Sequence, residues 1–293
     1  MTRARFLLSG ALSLAASFAV AAQATAAPPA PAVAADNPAS SSKFGFRFTG
    51  GAWFPRLRGD VSNAGPDLSV EDVGLSGSET APALDLEVRY DRLTADLTGF
   101  TFSTSGAGVV PVSSSFGAID LPAGSVVSTS FDIDSAGVDF TYALWQPIAV
   151  ITPQEGDPHR LAGPGSGLTI SPLLGGRWYG LSQQLSVAGG GSASGGGDWG
   201  ALLFGGRIDI DLVLPPDVPL LHAISICGLA GYGPAFGSDI GTALVIRADL
   251  TLWFTPNFGV TGGYRYQGLD LQNDDWAFNG SLAGLFVSGT IRF

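Results

Sequence analysis

Three features of the sequence predict an all-β chain, folded as a transmembrane, antiparallel, up-and-down barrel of about ten strands. Apolar and polar residues alternate with a period of two through most of its length. Glycine accounts for 42 of the 293 residues, and no apolar run of about 18 residues follows the N-terminal segment. The stretch from Trp199 to Leu214 shows the alternation best. Leu202, Phe204, Ile208, Ile210, Leu212 and Leu214 fall on one face of an extended strand, and Arg207, Asp209 and Asp211 on the other. A helix would scatter those three charges around its circumference. A greasy face opposite an ionic one suits a wall with hydrocarbon outside and a polar interior.

Composition removes several alternatives. The net charge is -11 and Lys43 is the only lysine, so the basic footprint of a nucleic-acid binder is missing. Cys227 is the only cysteine, which excludes an internal disulfide and a cysteine-based zinc site. It is expected to pack as a small hydrophobe inside a strand. No cofactor is expected.

In chain order, Met1 to Ala26 reads as an export signal: Arg3 and Arg5, an apolar stretch from Phe6 to Val20, then small residues ending in Ala24, Thr25 and Ala26. Residues 27 to 43, rich in Pro, Ala and Ser, are expected to be a disordered leader. The barrel is expected over 44 to 293. Strand one, Lys43 to Val61, sets Phe44, Phe46, Phe48, Ala52 and Phe54 against Arg47, Thr49 and Gly51. A surface loop from Ser62 to Thr80 carries Glu71, Asp72 and Glu79. Strand two, Ala81 to Tyr90, sets Leu84, Leu86 and Val88 against Asp85, Glu87 and Arg89. Asp91 and Arg92 leave room only for a tight turn.

Strand three, Leu93 to Thr104, has Leu93, Ala95 and Leu97 opposite Asp96, though Phe100 and Phe102 blur its register. A Gly, Ser and Val loop follows to Ser128. Strand four, Thr129 to Gln146, directs Val138, Phe140, Tyr142 and Leu144 outward and Asp139 and Thr141 inward. Residues 147 to 167 form a Pro and Gly connection. Strand five, Leu168 to Val187, places Arg177 inward and contains Pro172, which predicts a bulge or a local gap. Ala188 to Asp198 reads as a flexible loop. Strand six is the opening stretch, and Pro215 to Pro219 turns the chain. Strand seven runs Leu220 to Phe236, with Ser225 and Cys227 inward. Strand eight, Ile240 to Thr255, turns Arg247 and Asp249 inward, and strand nine, Phe258 to Leu271, does the same with Arg265. Strand ten, Trp276 to Phe293, sets Leu285, Val287, Ile291 and Phe293 against Ser288, Thr290 and Arg292.

An even strand count returns both ends to one side. The short turns at 91–92, 215–219 and 255–257 fall on the side of the termini, and the loops at 62–80, 105–128 and 188–198 on the other. Two connections dissent, because 147–167 is long and 237–239 is short, which leaves eight or twelve strands open. Aromatic residues gather in two bands: Phe44, Tyr90, Trp145, Phe254, Phe258 and Phe293 on the terminal side, and Phe54, Trp178, Trp199, Tyr232, Tyr266 and Trp276 on the other.

The export signal, the alternating strands and the ending LFVSGTIRF, with Phe293 last, resemble the family of bacterial outer-membrane β-barrels. The segment from Gly263 to Tyr266 followed by Leu269 and Asp270 is similar to one in many small members. The resemblance covers about Lys43 to Phe293. It implies an outer-membrane location with both termini periplasmic, and contact with outer-membrane lipids and lipopolysaccharide. It also implies recognition of Leu285, Val287, Ile291 and Phe293 by the barrel-assembly machinery.

The expected inward set is Arg47, Asp85, Glu87, Arg89, Asp96, Asp139, Arg177, Arg207, Asp209, Asp211, Arg247, Asp249, Arg265 and Arg292. Its signs balance. In a lumen of about ten strands these side chains should pair, since each unpaired ion costs several kcal/mol. The expectation is a non-enzymatic barrel with a polar, charge-paired, occluded lumen and a structural or surface-interaction role. A narrow channel for small hydrophilic or ionic solutes is the alternative. A lipid- or peptide-cleaving barrel would need a histidine base, and His159 and His222 both fall away from the outer rim. Asp132 with Asp134, and Asp270 with Asn273, Asp274 and Asp275, read as a solvated acidic rim rather than a calcium site.

Overall fold

The computed structural model describes residues 44–149, 167–214, 218–273 and 275–293. The expected export signal and leader, the connection that holds His159, and Asp274 lie outside the described residues. Ten long strands make the wall: β1 Phe44–Asn63, β2 Ala81–Tyr90, β3 Leu93–Val109, β4 Val126–Tyr142, β5 Gly167–Val187, β6 Ser192–Val213, β7 Ala223–Phe236, β8 Ile240–Trp253, β9 Phe258–Asn273 and β10 Trp276–Arg292. Each pairs antiparallel with its sequence neighbours, and β1 pairs with β10, so the sheet closes and has no free edge.

The strands are staggered around the wall. From Gly51 the register runs one way through Ala83, Phe100 and Ser135 to Tyr179. The other way it runs through Ser288, Thr261, Thr251, Ser225 and Asp211 to Gly167. The two routes meet on β5 twelve residues apart, a shear that tilts the strands by roughly 40°. Pro172 sits where β4 loses its pairing with β5: the ladder stops at Thr141 opposite Leu173 and resumes, shifted, at Trp145 opposite Ile170 in the segment Trp145–Ala149. A proline has no N–H to give, and the irregularity falls beside it as the sequence predicts.

The termini and the tight turns mark a near end of the barrel. At the far end two loops fold inward rather than standing out in solvent. In residues 64–80, Leu68, Val70, Val73 and Leu75 are buried, and in 110–125 so are Val110, Phe116 and Leu121. The expected surface loop at 62–80 is therefore a cap. It lies flush on β3: Gly74 adopts a left-handed φ of 85°, and a Cβ on Gly106 would stand 1.9 Å from the Gly74 carbonyl oxygen. The loop expected from 105 to 128 is shorter than predicted, because β3 and β4 extend to Val109 and from Val126. The flexible loop expected at 188–198 is absent too; β6 begins at Ser192 and only a turn precedes it.

The exterior carries a broad apolar band. Phe44, Phe46, Phe48 and Phe54 of β1, Leu174 of β5, Phe204 and Ile208 of β6, Leu250 of β8, and Leu285 and Val287 of β10 are all exposed. On β1 the band runs from Phe44 to Phe54, ten steps that at about 3.3 Å each and a tilt of about 40° span roughly 25 Å, the height of a membrane-crossing barrel's lipid belt. Beyond it the outer face turns polar at Arg56, Ser103, Asp132, Ser182, Asp270 and Asn279.

Candidate functional site

The inward side chains of the barrel fill its lumen in two layers. In the near half the alternation turns the ions inward. Glu87, Asp96 and Asp139 stand opposite one another on β2, β3 and β4, a row of three carboxylates. Arg247 and Arg265 are cross-strand partners on β8 and β9. Like charges side by side repel, and the barrel answers with bonds across its width.

Arg207 of β6 donates to Glu87 of β2 at 2.8 Å and holds Asp209 on its own strand. Arg247 reaches Asp85 at 3.2 Å and Asp249 at 2.6 Å, and Arg265 donates to the same Asp85. Arg47 pairs with Glu87 at 2.5 Å, Arg89 lies at its rim at 3.5 Å, and Arg177 donates to Asp139 at 2.6 Å. Asp96 has only the 4.0 Å approach of Arg207. Asp211 accepts from Ser225 at 2.5 Å, and Arg292 stacks over the Trp253 ring and donates from Nε to the Pro256 carbonyl. All fourteen residues of the predicted inward set thus share the inner face of the near half.

Beside the ions a belt of hydroxyls links four strands: Thr49 to Thr290, Thr290 to Thr261 and Thr261 to Thr251, at 3.2, 2.6 and 2.8 Å. Cys227 does not sit among hydrophobes as expected. Its cross-strand neighbours are Asp209 and Asp249.

The far half reverses the rule. There the inward residues are Leu57 and Val61 of β1, Phe100 and Phe102 of β3, Phe131 and Ile133 of β4, Leu181 and Leu185 of β5, Leu269 and Leu271 of β9, and Phe278 and Leu282 of β10, all buried. The expectation of a polar lumen therefore holds for the near half alone. Trp199 and Trp276, expected in the outer aromatic band, belong to this core; their rings lie 5.7 Å apart and are 0 % and 3 % exposed. Each indole N–H has a partner, Trp199 the Gln272 carbonyl and Trp276 the Gln183 amide oxygen. Phe54, Trp178, Tyr232 and Tyr266 remain on the exterior.

Where the layers meet lies a cavity of about 20 Å³, lined by the polar Asp96, Asp139, Arg177, Arg265 and Gln267 and by the apolar Phe100, Leu229 and Val245. Buried polar atoms with no protein partner, among them Asp96 Oδ1, Asp139 Oδ1 and Arg177 Nε, belong to its lining. It has room for a water or two. Among the described residues no cluster of His, Cys, Asp and Glu has the makings of a metal site. His222 opens β7 at the near end, where its backbone N–H donates to the Trp253 carbonyl at 2.7 Å.

No family model matches the sequence, and no curated protein matches it. Solved structures do resemble the fold. The attachment invasion locus protein Ail of Yersinia pestis, solved with the heparin analogue sucrose octasulfate, is 13% identical, with 85% of this chain and 98% of that one covered and a TM-score of 0.31. The outer membrane protease OmpT of Escherichia coli is 7% identical, with 87% and 98% covered and a TM-score of 0.40. The toluene transporter TodX of Pseudomonas putida is 9% identical, with 85% and 90% covered and a TM-score of 0.28. These neighbours adhere, cleave and transport, and at such identities none of those activities carries over. What the chain's own geometry establishes is a closed ten-stranded antiparallel barrel with an exposed apolar belt, an architecture it shares with bacterial outer-membrane barrels.

Proposed function

We propose that this is a non-enzymatic integral outer-membrane barrel with a plugged lumen, both termini periplasmic, acting through structure and through its far-end surface rather than by conducting solutes. One observation carries the proposal: the lumen is filled twice, by ion pairs that cross from β2 to β6, β8 and β9, and above them by an apolar core under the two inward-folded loops. An ion entering from the near end would have to displace Arg207 and Arg247 from their carboxylates and then shed its water among Phe100, Phe131 and Leu282, at a cost of many kcal/mol. Asp67, Glu71, Asp72, Asp120, Asp239 and Asp275 are exposed at the far end, so the face offered to the surroundings is acidic. The outward-facing Leu285, Val287 and Ile291 of β10, with Phe293 just beyond it, are the ones an assembly machinery would read.

Planar-bilayer recording tests the proposal. The expected outcome is no steady conductance from the purified protein. A reproducible conductance that changes on Arg207→Ser or Asp209→Asn would replace the proposal with the narrow-channel reading.

A further inference from the structure

Two arginines of the wall face away from the lumen. Arg56 and Arg58 lie on the outer face of β1 and are exposed, whereas the other arginines within the described strands occupy inward positions. They follow Phe54, which shares the upper aromatic rim with Trp178, Tyr232 and Tyr266. Two and four residues beyond that ring, on a strand tilted by about 40°, their backbones stand roughly 5 and 10 Å above the edge of the hydrocarbon, within and just past the headgroup layer.

Their surroundings make the pair conspicuous. The polar exterior of the far half is otherwise acidic, with Asp60, Asp132, Asp198 and Asp270 exposed on its strands. Among the described residues neither arginine makes an ion pair, so both forks are free to face outward. Across the ladder Arg58 lies opposite Ser281 of β10, with Asp60 two residues further along the same face, and Arg56 lies opposite Ala283 and bridges to Ser78 on the other side. Nothing in the lumen needs these cations, and an arginine at the headgroup level meets phosphate before anything else.

We propose that Arg56 and Arg58 form a phosphate-binding site for the headgroup of a membrane lipid. Two planar guanidinium forks on one strand face can each engage phosphate oxygens in the bidentate geometry arginine favours. Ser281 supplies a further hydroxyl at the flank, while the Ser78 hydroxyl donates to the Phe54 and Pro55 carbonyls. The proposal rests on the membrane placement of the barrel and on no assumption about the lumen. A basic side chain near an anionic lipid surface strengthens binding about fivefold, so losing both should cost about twenty-five-fold.

The test compares wild type with Arg56→Ser/Arg58→Ser in mixed micelles holding either phosphatidic acid or diacylglycerol, with retained lipid counted by native mass spectrometry. Wild type should keep phosphatidic acid and lose diacylglycerol, and the double variant should lose both. Heat-dependent gel mobility shows whether the variant is folded; if it is not, Arg58→Ser alone should weaken retention about fivefold. The Arg56→Lys/Arg58→Lys variant, which keeps the charges without the forks, should fall between. Equal retention of phosphatidic acid by wild type and the serine variants overturns the site. Full displacement of the lipid by inorganic phosphate at equal concentration overturns the lipid assignment in favour of a free anion. Solubility of the mature chain as a monomer without any amphiphile would instead sink the membrane placement itself, so the two failures are told apart.

Discussion

The near and far halves of this barrel are built from the same strands by opposite rules. On β4 the inward residues are Asp139 and Thr141 near the termini and Phe131 and Ile133 at the far end, while the outward ones change from Phe140 and Tyr142 to Asp132. Medium explains the switch. Where lipid wets the outside, apolar side chains belong there and ions retreat to the lumen; where water wets the outside, the strand reverts to the pattern of a soluble barrel with a greasy core. The two halves should also hold themselves together differently, the near one by paired charges and the far one by packing.

The comparison breaks most readily at Phe131, fully buried against Phe278 with ring centroids 5.2 Å apart. Phe131→Ala should cost about 3–5 kcal/mol, read as a lower urea midpoint in detergent, with no second substitution restoring it. Arg177→Met, which strands Asp139 without its 2.6 Å partner, should cost about 3–4 kcal/mol. Here the near half should betray its different physics: adding Asp139→Leu should recover most of that loss, because two apolar residues can replace a buried ion pair. Non-additivity of this kind at Arg177 and Asp139, and its absence at Phe131, is the sharpest form of the contrast.

Smaller effects follow. Thr290→Val cuts the hydroxyl belt at its centre and should cost roughly 1 kcal/mol in the same unfolding measurement. Arg89→Ala, at the solvent-exposed rim of the ionic layer and 3.5 Å from Glu87, should move the midpoint by less than about 1 kcal/mol, and less still in high salt. A large, salt-insensitive loss at Arg89 would mean that the near end is drier than its 31 % side-chain exposure implies.

Most of the wall was legible in the sequence because the lipid belt enforces strict alternation. The ten strands, the inward ions, the turn at 91–92, the gap beside Pro172 and the short far-end turn at 237–239 all follow from period and turn chemistry. What escaped has a single physical origin. Phe100 and Phe102 blur the alternation of β3 because they belong to the reversed half, and Trp199 and Trp276 read as members of the aromatic band because a ring near a strand end suits either an interface or a core. Similarly, Leu68, Val70, Val73 and Leu75 were the signal that residues 64–80 fold inward, masked by the acids and glycines between them. Pairing across the lumen, such as Arg207 with Glu87 or Arg265 with Asp85, was beyond reach, since it depends on the shear and no local pattern records that. Arg56 and Arg58 were visible as charges but had no place in an inward network.

The reversal of faces along each strand bears on how the wall finds its alignment. In an ordinary span, a slip by one residue exposes grease on one side and is opposed by one solvent mismatch. Here the same slip on β4 would thrust Asp139 into acyl chains at one end while pushing Phe131 into water and Asp132 into the core at the other. Mis-threaded intermediates are thus penalised at both ends of the strand at once, and the correct closure of β1 on β10 is favoured over its neighbours by more than either half would secure alone.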